Sequence, residues 1–173
     1  LHHHLSGPTL IRLQGKRKDV LFVSVLLHGN ETTGWDAVRE LLLSNKKETL
    51  PRSLYLFIGN IAAAAEGLRV LDGQQDYNRI WKKNNKTAEG KMAAELLDIL
   101  ASTSLFAAID IHNNTGINPH YACINELDTK FFHLATLFSR TVVYFRRPDS
   151  VLSLALSELC PAATVECGNA GDS

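Results

Sequence analysis

The stretch Asp19–Glu31, DVLFVSVLLHGNE, decides the fold and contains the first candidate functional residues. Its first nine residues form a near-continuous apolar run rich in Val and Leu, which is typical of a strand covered on both faces. A turn follows, for which Gly29 and Asn30 are suitable residues. The turn does not explain His28 and Glu31, whose i and i+3 spacing lets both side chains face one point.

Apolar runs and segments with helical spacing alternate along the rest of the chain. The predicted strands after the first are 53–61, 105–112, 141–146 and 162–168, with a possible short strand at 121–125. The first predicted helix begins at about Thr33, and three further helices are predicted at 87–103, 129–140 and 151–160. Residues 59–81 show no clean period and are predicted to be mostly an ordered loop. This alternation predicts an α/β fold with a mixed, mostly parallel central sheet flanked by helices.

Composition restricts the classes of protein to which the chain can belong. The 173 residues suit one domain, and eighteen basic and eighteen acidic residues give a formal net charge of zero. This balance argues against nucleic acid or an anionic membrane as the main partner, and no apolar run approaches the roughly 18 residues of a membrane span. Three cysteines without CxxC spacing, together with the lack of a visible secretory signal, predict free thiols and a cytoplasmic location. The histidines at positions 2–4 fit either a tag remnant or native sequence, and they are not candidate site residues.

Three predicted strands end in polar stretches, LLHGNE, IDIHNNTG and TVECGNAG. The carboxyl ends of parallel strands meet at one edge of a sheet, where ligands bind. Two histidines and a carboxylate are the ligand set of a catalytic zinc, which makes His28, Glu31 and His112 candidate ligands. Taken alone, His112 would be read as a buried histidine hydrogen-bonded to its neighbours. Glu166 favours a metal site over a purely structural histidine, because a carboxylate on an apolar strand is costly to bury unless it has a partner or a function. Asp110 either orients His112 or caps the strand end.

In these motifs the chain resembles the succinylglutamate desuccinylase/aspartoacylase family of the zinc carboxypeptidase-like superfamily. The matching stretches are HGNE (28–31), DYNR (76–79), DIHNNTG (110–116) and VECG (165–168), in the family's order and at similar spacing. The resemblance covers nearly the whole chain from about Asp19. It implies a three-layer zinc carboxypeptidase-like (phosphorylase/hydrolase-like) fold and a catalytic domain spanning residues 1–173.

The resemblance implies a zinc-dependent amidohydrolase, a deacylase acting on a linear amide, with a small-molecule N-acyl amino acid as substrate. One zinc ion would be bound by His28, Glu31 and His112. Glu166 would be the general base that activates the zinc-bound water and later returns the proton to the leaving amine. This role fits general chemistry, because zinc lowers the pKa of bound water to near 7 and a neighbouring carboxylate can take the proton.

The resemblance also implies roles for three residues of the 59–81 segment and its continuation. Asn78 and Arg79 would hold a carboxylate of the substrate, and Arg69 would polarise the scissile carbonyl. A guanidinium offers a planar fork of donors that suits a carboxylate or an oxyanion. The alternative for Arg79 is a surface salt bridge.

Two departures from the family pattern affect the expected substrate and domain content. The family continues into further core structure and a smaller C-terminal β domain, so the chain is expected to be incomplete at its C-terminus and to lack that domain. Acyl-specific members have an additional arginine shortly before the catalytic glutamate, whereas residues 150–166 contain none and the nearest are Arg146 and Arg147. This argues against a dicarboxylic acyl group such as succinyl and against an aspartate product.

Two other functions remain open from the sequence. A zinc carboxypeptidase acting on peptides would use the same zinc and base. A non-catalytic metal-binding module of the same fold would keep the ligands without turnover. The acyl group, the amine and the oligomeric state are not determined by these residues.

Overall fold

The apolar run that begins at Asp19 forms most of the strand Arg17–Val25, near the centre of the sheet in the computed structural model, and its last two residues follow the strand. The structure describes residues 5–82, 84–114 and 116–170, so the histidines at positions 2–4 lie outside the described residues. The strands in these ranges are β1 (Thr9–Leu13), β2 (Arg17–Val25), β3 (Arg52–Ile58), β4 (Leu105–His112), β5 (Tyr121–Ile124), β6 (Val142–Tyr144) and β7 (Ala162–Glu166). The helices are α1 (Thr33–Ser44), α2 (Ile61–Ala65), α3 (Ala88–Ala101), α4 (Thr129–Thr136) and α5 (Leu152–Ser157).

The seven strands form one mixed sheet in the order β1-β3-β2-β4-β7-β5-β6. Its four central strands, β3, β2, β4 and β7, run parallel to one another, while β1 and β5 pair antiparallel with β3 and β7. The predicted α/β class with a mixed, mostly parallel sheet is therefore confirmed. The carboxyl ends of β2, β4 and β7 lie at one edge, as the strand-end argument requires.

Alternating side chains of β2 pack against different helices, which explains its unbroken apolar sequence. Val23 and Val25 belong to a buried cluster that includes Val38 of α1, whereas Phe22 packs with Leu96 of α3. Successive strand side chains point to opposite faces, so helices cover both faces of the sheet. The result is the three-layer arrangement that the family resemblance implies.

The differences from the predicted elements are small and lie in short segments. Strand β1 was not predicted, and α2 occupies five residues of a segment predicted to be mostly loop. Helices α4 and α5 and strand β6 are shorter than predicted. Cys123, Cys160 and Cys167 are free thiols. Among the described residues, no helix has the length and apolarity needed to cross a membrane.

Candidate metal centre

The HGNE turn is fixed by backbone hydrogen bonds to two neighbouring segments. Leu26, directly after β2, is fully buried with a φ of 56°, a left-handed conformation that turns the chain out of the strand. Its carbonyl accepts a 2.6 Å hydrogen bond from the Asn60 backbone N–H, and the Gly29 N–H donates to the Arg69 carbonyl at 3.1 Å. The Glu31 N–H closes the turn on the His28 carbonyl at 3.1 Å. The side chains of His28 and Glu31 therefore extend from a turn whose backbone is held in place.

Three predicted ligands meet at the edge of the sheet. Glu31 Oε1 lies 2.8 Å from His28 Nδ1, and Glu31 Oε2 lies 2.8 Å from His112 Nδ1. One ligand atom from each residue lies within 4.8 Å of the others, and all three side chains are buried. Two ring nitrogens and a carboxylate thus converge on one point, which is the arrangement of a three-residue metal site.

The opposite nitrogen of each histidine ring contacts an acid. His28 Nε2 lies 2.9 Å from Asp76 Oδ1, and His112 Nε2 lies 2.8 Å from Asp110 Oδ2. Asp110 is 1% exposed and accepts a further hydrogen bond of 2.5 Å from Ser24 Oγ. A carboxylate behind each ring favours a proton on Nε2 and leaves Nδ1 as the ligand atom, as in many metal sites.

His28 Nδ1 gives an independent sign that the group fits a cation. It is buried and lacks a hydrogen-bond partner among the described residues, because its 2.8 Å contact with Glu31 does not have the angles of a hydrogen bond. A buried nitrogen without a partner is costly. A cation held between this nitrogen, His112 and Glu31 would satisfy it. Nitrogen and carboxylate ligands in a group of three suit zinc.

The charges around His28, Glu31 and His112 also favour a cation between them. Burial would raise the pKa of Glu31, but its contacts with His112 and His28 outweigh burial and lower that pKa to about 2. Burial would lower the pKa of His112, but Asp110 and Glu31 outweigh it and raise that pKa well above its usual range. The acids around the rings therefore favour positive charge at this point, whether a proton or a metal ion supplies it.

Asn113 connects the loop after β4 to the start of α1. Its backbone N–H donates to Glu31 Oε2 at 3.1 Å, and its side-chain amide donates to Thr33 Oγ1 and to the Gly168 carbonyl, both at 2.9 Å. One residue thus joins the segments after β2, β4 and β7. It also orients the Glu31 carboxylate toward the two rings.

The remaining candidate residues lie around the same point. Glu166 ends β7 and is the direct ladder partner of His112; burial raises the pKa of its carboxyl group. Arg69 donates to Glu31 Oε1 at 3.0 Å and to Asp76 Oδ2 at 3.4 Å. All seven predicted site residues line one cleft of about 230 Å³, whose walls are His28, Glu31, Arg69, Asn78, Arg79, His112, Asn113, Asn114, Tyr121 and Glu166.

Four residues with a place in or behind this cleft were not assigned roles from the sequence. Asp76 belongs to the DYNR motif, and an acid at the start of a loop motif was the available signal. Asn113 and Asn114 follow His112 directly, which was a weaker signal. Tyr121 stands in a short apolar strand, and nothing in its sequence neighbourhood marks it.

Comparisons with known proteins agree with this geometry. A sequence model described as the succinylglutamate desuccinylase/aspartoacylase catalytic domain matches residues 18–172. No match was found among functionally curated protein sequences. The fold is similar to a succinylglutamate desuccinylase structure from Chromobacterium violaceum, with a TM-score of 0.78, 21% identity, and coverage of 95% of this chain and 61% of that chain.

Two further solved structures show the same fold. A succinylglutamate desuccinylase from Silicibacter sp. TM1040 has a TM-score of 0.74 and 19% identity over 95% of this chain and 54% of that chain. The tripeptide-bound cell shape determinant Csd4 from Helicobacter pylori has a TM-score of 0.70 and 16% identity over 93% and 50%. The chain spans about half to two thirds of the length of such relatives. The match over residues 18–172 shows that the chain belongs to the succinylglutamate desuccinylase/aspartoacylase catalytic domain family, a family of hydrolases.

Proposed function

We propose that the protein is a zinc-dependent hydrolase that cleaves the amide bond of an N-acyl amino acid or a similar small amide. The observation that best supports this is the group His28, Glu31 and His112, in which both Nδ1 atoms face the carboxylate and both Nε2 atoms face acids. Family membership supports the reaction class. The substrate is part of the proposal, because the chain covers only part of its relatives' length.

Glu166 is the proposed general base. When bound by His28, Glu31 and His112, zinc would polarise the scissile carbonyl and lower the pKa of a water molecule to near 7. The Glu166 carboxylate takes a proton from the attacking water, whose oxygen bonds to the carbonyl carbon. The C–N bond then breaks, and Glu166 returns the proton to the amine nitrogen. Burial raises the pKa of Glu166, which makes its carboxylate a stronger base than an exposed one.

The arginines provide the other polar contacts of the proposed reaction. Arg69 is half exposed beside Glu31 and can donate to the carbonyl oxygen as negative charge develops there. Arg79 donates to the Asn78 carbonyl at 2.7 Å, which leaves the rest of its fork for a substrate carboxylate. The Asn78 side-chain oxygen accepts from the Leu152 N–H at 3.1 Å, so its NH₂ group is the part that faces a substrate.

Metal analysis tests the ligand assignment. We expect purified protein to bind one zinc ion, and H28A, H112A and their double variant to lose both zinc and activity. H133A is the matched control, because His133 lies exposed on α4 away from the cleft. Stoichiometric zinc in the double variant would show that the ligand assignment is wrong.

The Glu166→Gln variant tests the base separately from the metal. Glutamine keeps the size of the side chain but cannot accept the proton, so E166Q should retain zinc and lose kcat by a factor of about 10² or more. A rate within about threefold of the wild type would remove Glu166 as the base.

A peptide substrate is the second candidate. It is favoured by the shared fold with Csd4, whose structure was solved with a bound tripeptide. A panel of peptides and N-acyl amino acids, assayed with the same zinc-loaded protein, separates the two candidates by their kcat/KM values. Full zinc occupancy with no hydrolysis of either class would instead support a non-catalytic metal-binding module.

A further inference from the structure

The ladder register brings a third side chain into line with the metal group and the base. His112 on β4 is the direct partner of Glu166 on β7, and Glu166 is the direct partner of Tyr121 on β5. Side chains of direct partners point to the same face of a sheet. The three residues therefore form one row across three neighbouring strands, and all three line the cleft.

Tyr121 stands on the far side of Glu166 from the metal group. Neighbouring strands are about 4.8 Å apart, so the Tyr121 Cα lies about 10 Å from the His112 Cα. A reacting carbonyl would lie between the metal group and Glu166. The part of a substrate that extends past Glu166 therefore reaches Tyr121, whose side chain is half-buried.

Asn114 adds a donor to the same cleft. Its Oδ1 accepts from Asn118 Nδ2 at 3.4 Å, whereas its own Nδ2 is buried and has no hydrogen-bond partner among the described residues. An unsatisfied buried donor is costly. Because Asn114 lines the cleft, a rotation of its side-chain amide would bring this donor to a ligand oxygen there. A tyrosine hydroxyl is a second neutral donor in that wall.

The arginines in and near this cleft have other partners or other proposed roles. Arg69 contacts Glu31 and Asp76, the acids of the metal group, and its free donors are assigned to the reacting carbonyl. Arg146 and Arg147, the nearest arginines before Glu166, are not among the residues that line the cleft. Arg146 pairs with Glu126 and donates to the Asn125 carbonyl at 3.2 Å. An acyl carboxylate placed past Glu166 would therefore face a like charge without a cation of its own.

We propose that Asn114 and Tyr121 form an acyl-binding wall beside Glu166 that accepts an uncharged acyl group with a hydrogen-bond acceptor. This inference rests on the proposed metal-dependent site and specifies its substrate class. Arg79 holds the carboxylate of the amino-acid part, and the two neutral donors bind the acyl part.

An isosteric pair of ligands tests the inference. Succinate monohydroxamate and its primary amide both bind zinc through the hydroxamate and differ only in the charge of the far end. With zinc-loaded wild-type protein, calorimetry should give at least tenfold tighter binding of the amide. The corresponding N-succinyl and N-succinamoyl amino acids should differ in kcat/KM in the same direction.

Variants of Tyr121 and Asn114 test whether these two residues cause the preference for the amide ligand. Y121F and N114A should each weaken binding of the amide by about tenfold and leave zinc content and melting temperature unchanged, and Y121A should weaken it further. Y144F is the matched control, because Tyr144 is exposed on β6 and lies outside the cleft. Equal or tighter binding of the carboxylate, or unchanged binding in both Y121A and N114A, would overturn the proposal.

The two readouts separate this inference from the proposed function. If the hydroxamate pattern is found but no amide is hydrolysed, the hydrolase proposal fails and the acyl-binding wall stands. If amides are hydrolysed without the pattern, the wall alone is wrong.

Discussion

Removing the charge of Asp110 should weaken metal binding without unfolding the protein. Asp110 holds His112 Nε2 at 2.8 Å and accepts from Ser24 Oγ at 2.5 Å, and its side chain is 1% exposed. Loss of such a partner behind a ligand histidine typically costs 10- to 100-fold in metal affinity, which corresponds to about 1.4–2.7 kcal/mol. Because Asp110 is fully buried and solvent does not screen its charge, we expect D110N near the upper end.

The acid behind the other ring provides an internal comparison. Asp76 also contacts a proposed ligand histidine, but its side chain is 27% exposed and it shares its charge with Arg69. D76N should therefore fall near the lower end, about tenfold. Ser24→Ala, which keeps the Asp110 carboxylate, should change the affinity less than D110N does.

Zinc affinity is measured on metal-free protein by competition with a chromophoric chelator, and thermal melts check that each variant folds. An affinity within twofold of the wild type in D110N would refute the reasoning. A larger effect in D76N than in D110N would refute the part that depends on burial.

Three further predictions follow from packing, ionisation and linkage. A Cβ at Gly29 would lie 2.2 Å from the Ala64 N, so G29A should lower the free energy of unfolding by about 3 kcal/mol or more in a denaturant melt. The control G7A, at a position in open space, should change that free energy by less than about 0.5 kcal/mol. Equal free energies of unfolding for the two variants would contradict the clash. Burial raises the pKa of Cys123 to about 12 and those of Cys160 and Cys167 to about 11, so iodoacetamide at pH 8 should alkylate the folded protein more than about 100-fold more slowly than free cysteine. The rate should rise about tenfold per pH unit between pH 7 and 9, and fast labelling of folded protein would contradict the burial. Zinc at 100 times its Kd should stabilise the protein by about 2.7 kcal/mol, raising Tm by about 5–11 °C, and a similar rise in the double-histidine variant would contradict binding at this group.

The central strands could be predicted because both of their faces are buried. Two-sided burial produces the continuous apolar runs of β2, β3, β4 and β7, and such runs are visible without any alignment. Strand β1 lies at the edge of the sheet and contains Arg12, so its pattern is weak. Helix α2 is too short for a helical period to be detected; its signal was Asn60, whose side chain caps it by accepting from the Ala63 N–H.

The positions of the site residues were predictable to the extent that topology determines them. His28 follows β2 and His112 ends the parallel strand β4, so their meeting at one edge follows from strand order alone. The role of Asp76 was not predictable, because it depends on how the 59–81 loop folds back over the HGNE turn. Tyr121 depends on β5 pairing antiparallel with β7, a choice that its four residues do not reveal.

The row His112, Glu166 and Tyr121 makes the proposed chemistry depend on the alignment of one strand. If β7 shifted by a single residue, Val165 or Cys167 would take the place of Glu166, because strand side chains alternate between faces. The three proposed metal ligands come from other segments and would remain together. A molecule with β7 misaligned would then bind zinc but lack the proposed base. The turnover per bound zinc ion would therefore measure the fraction of molecules in which β7 pairs in the correct register.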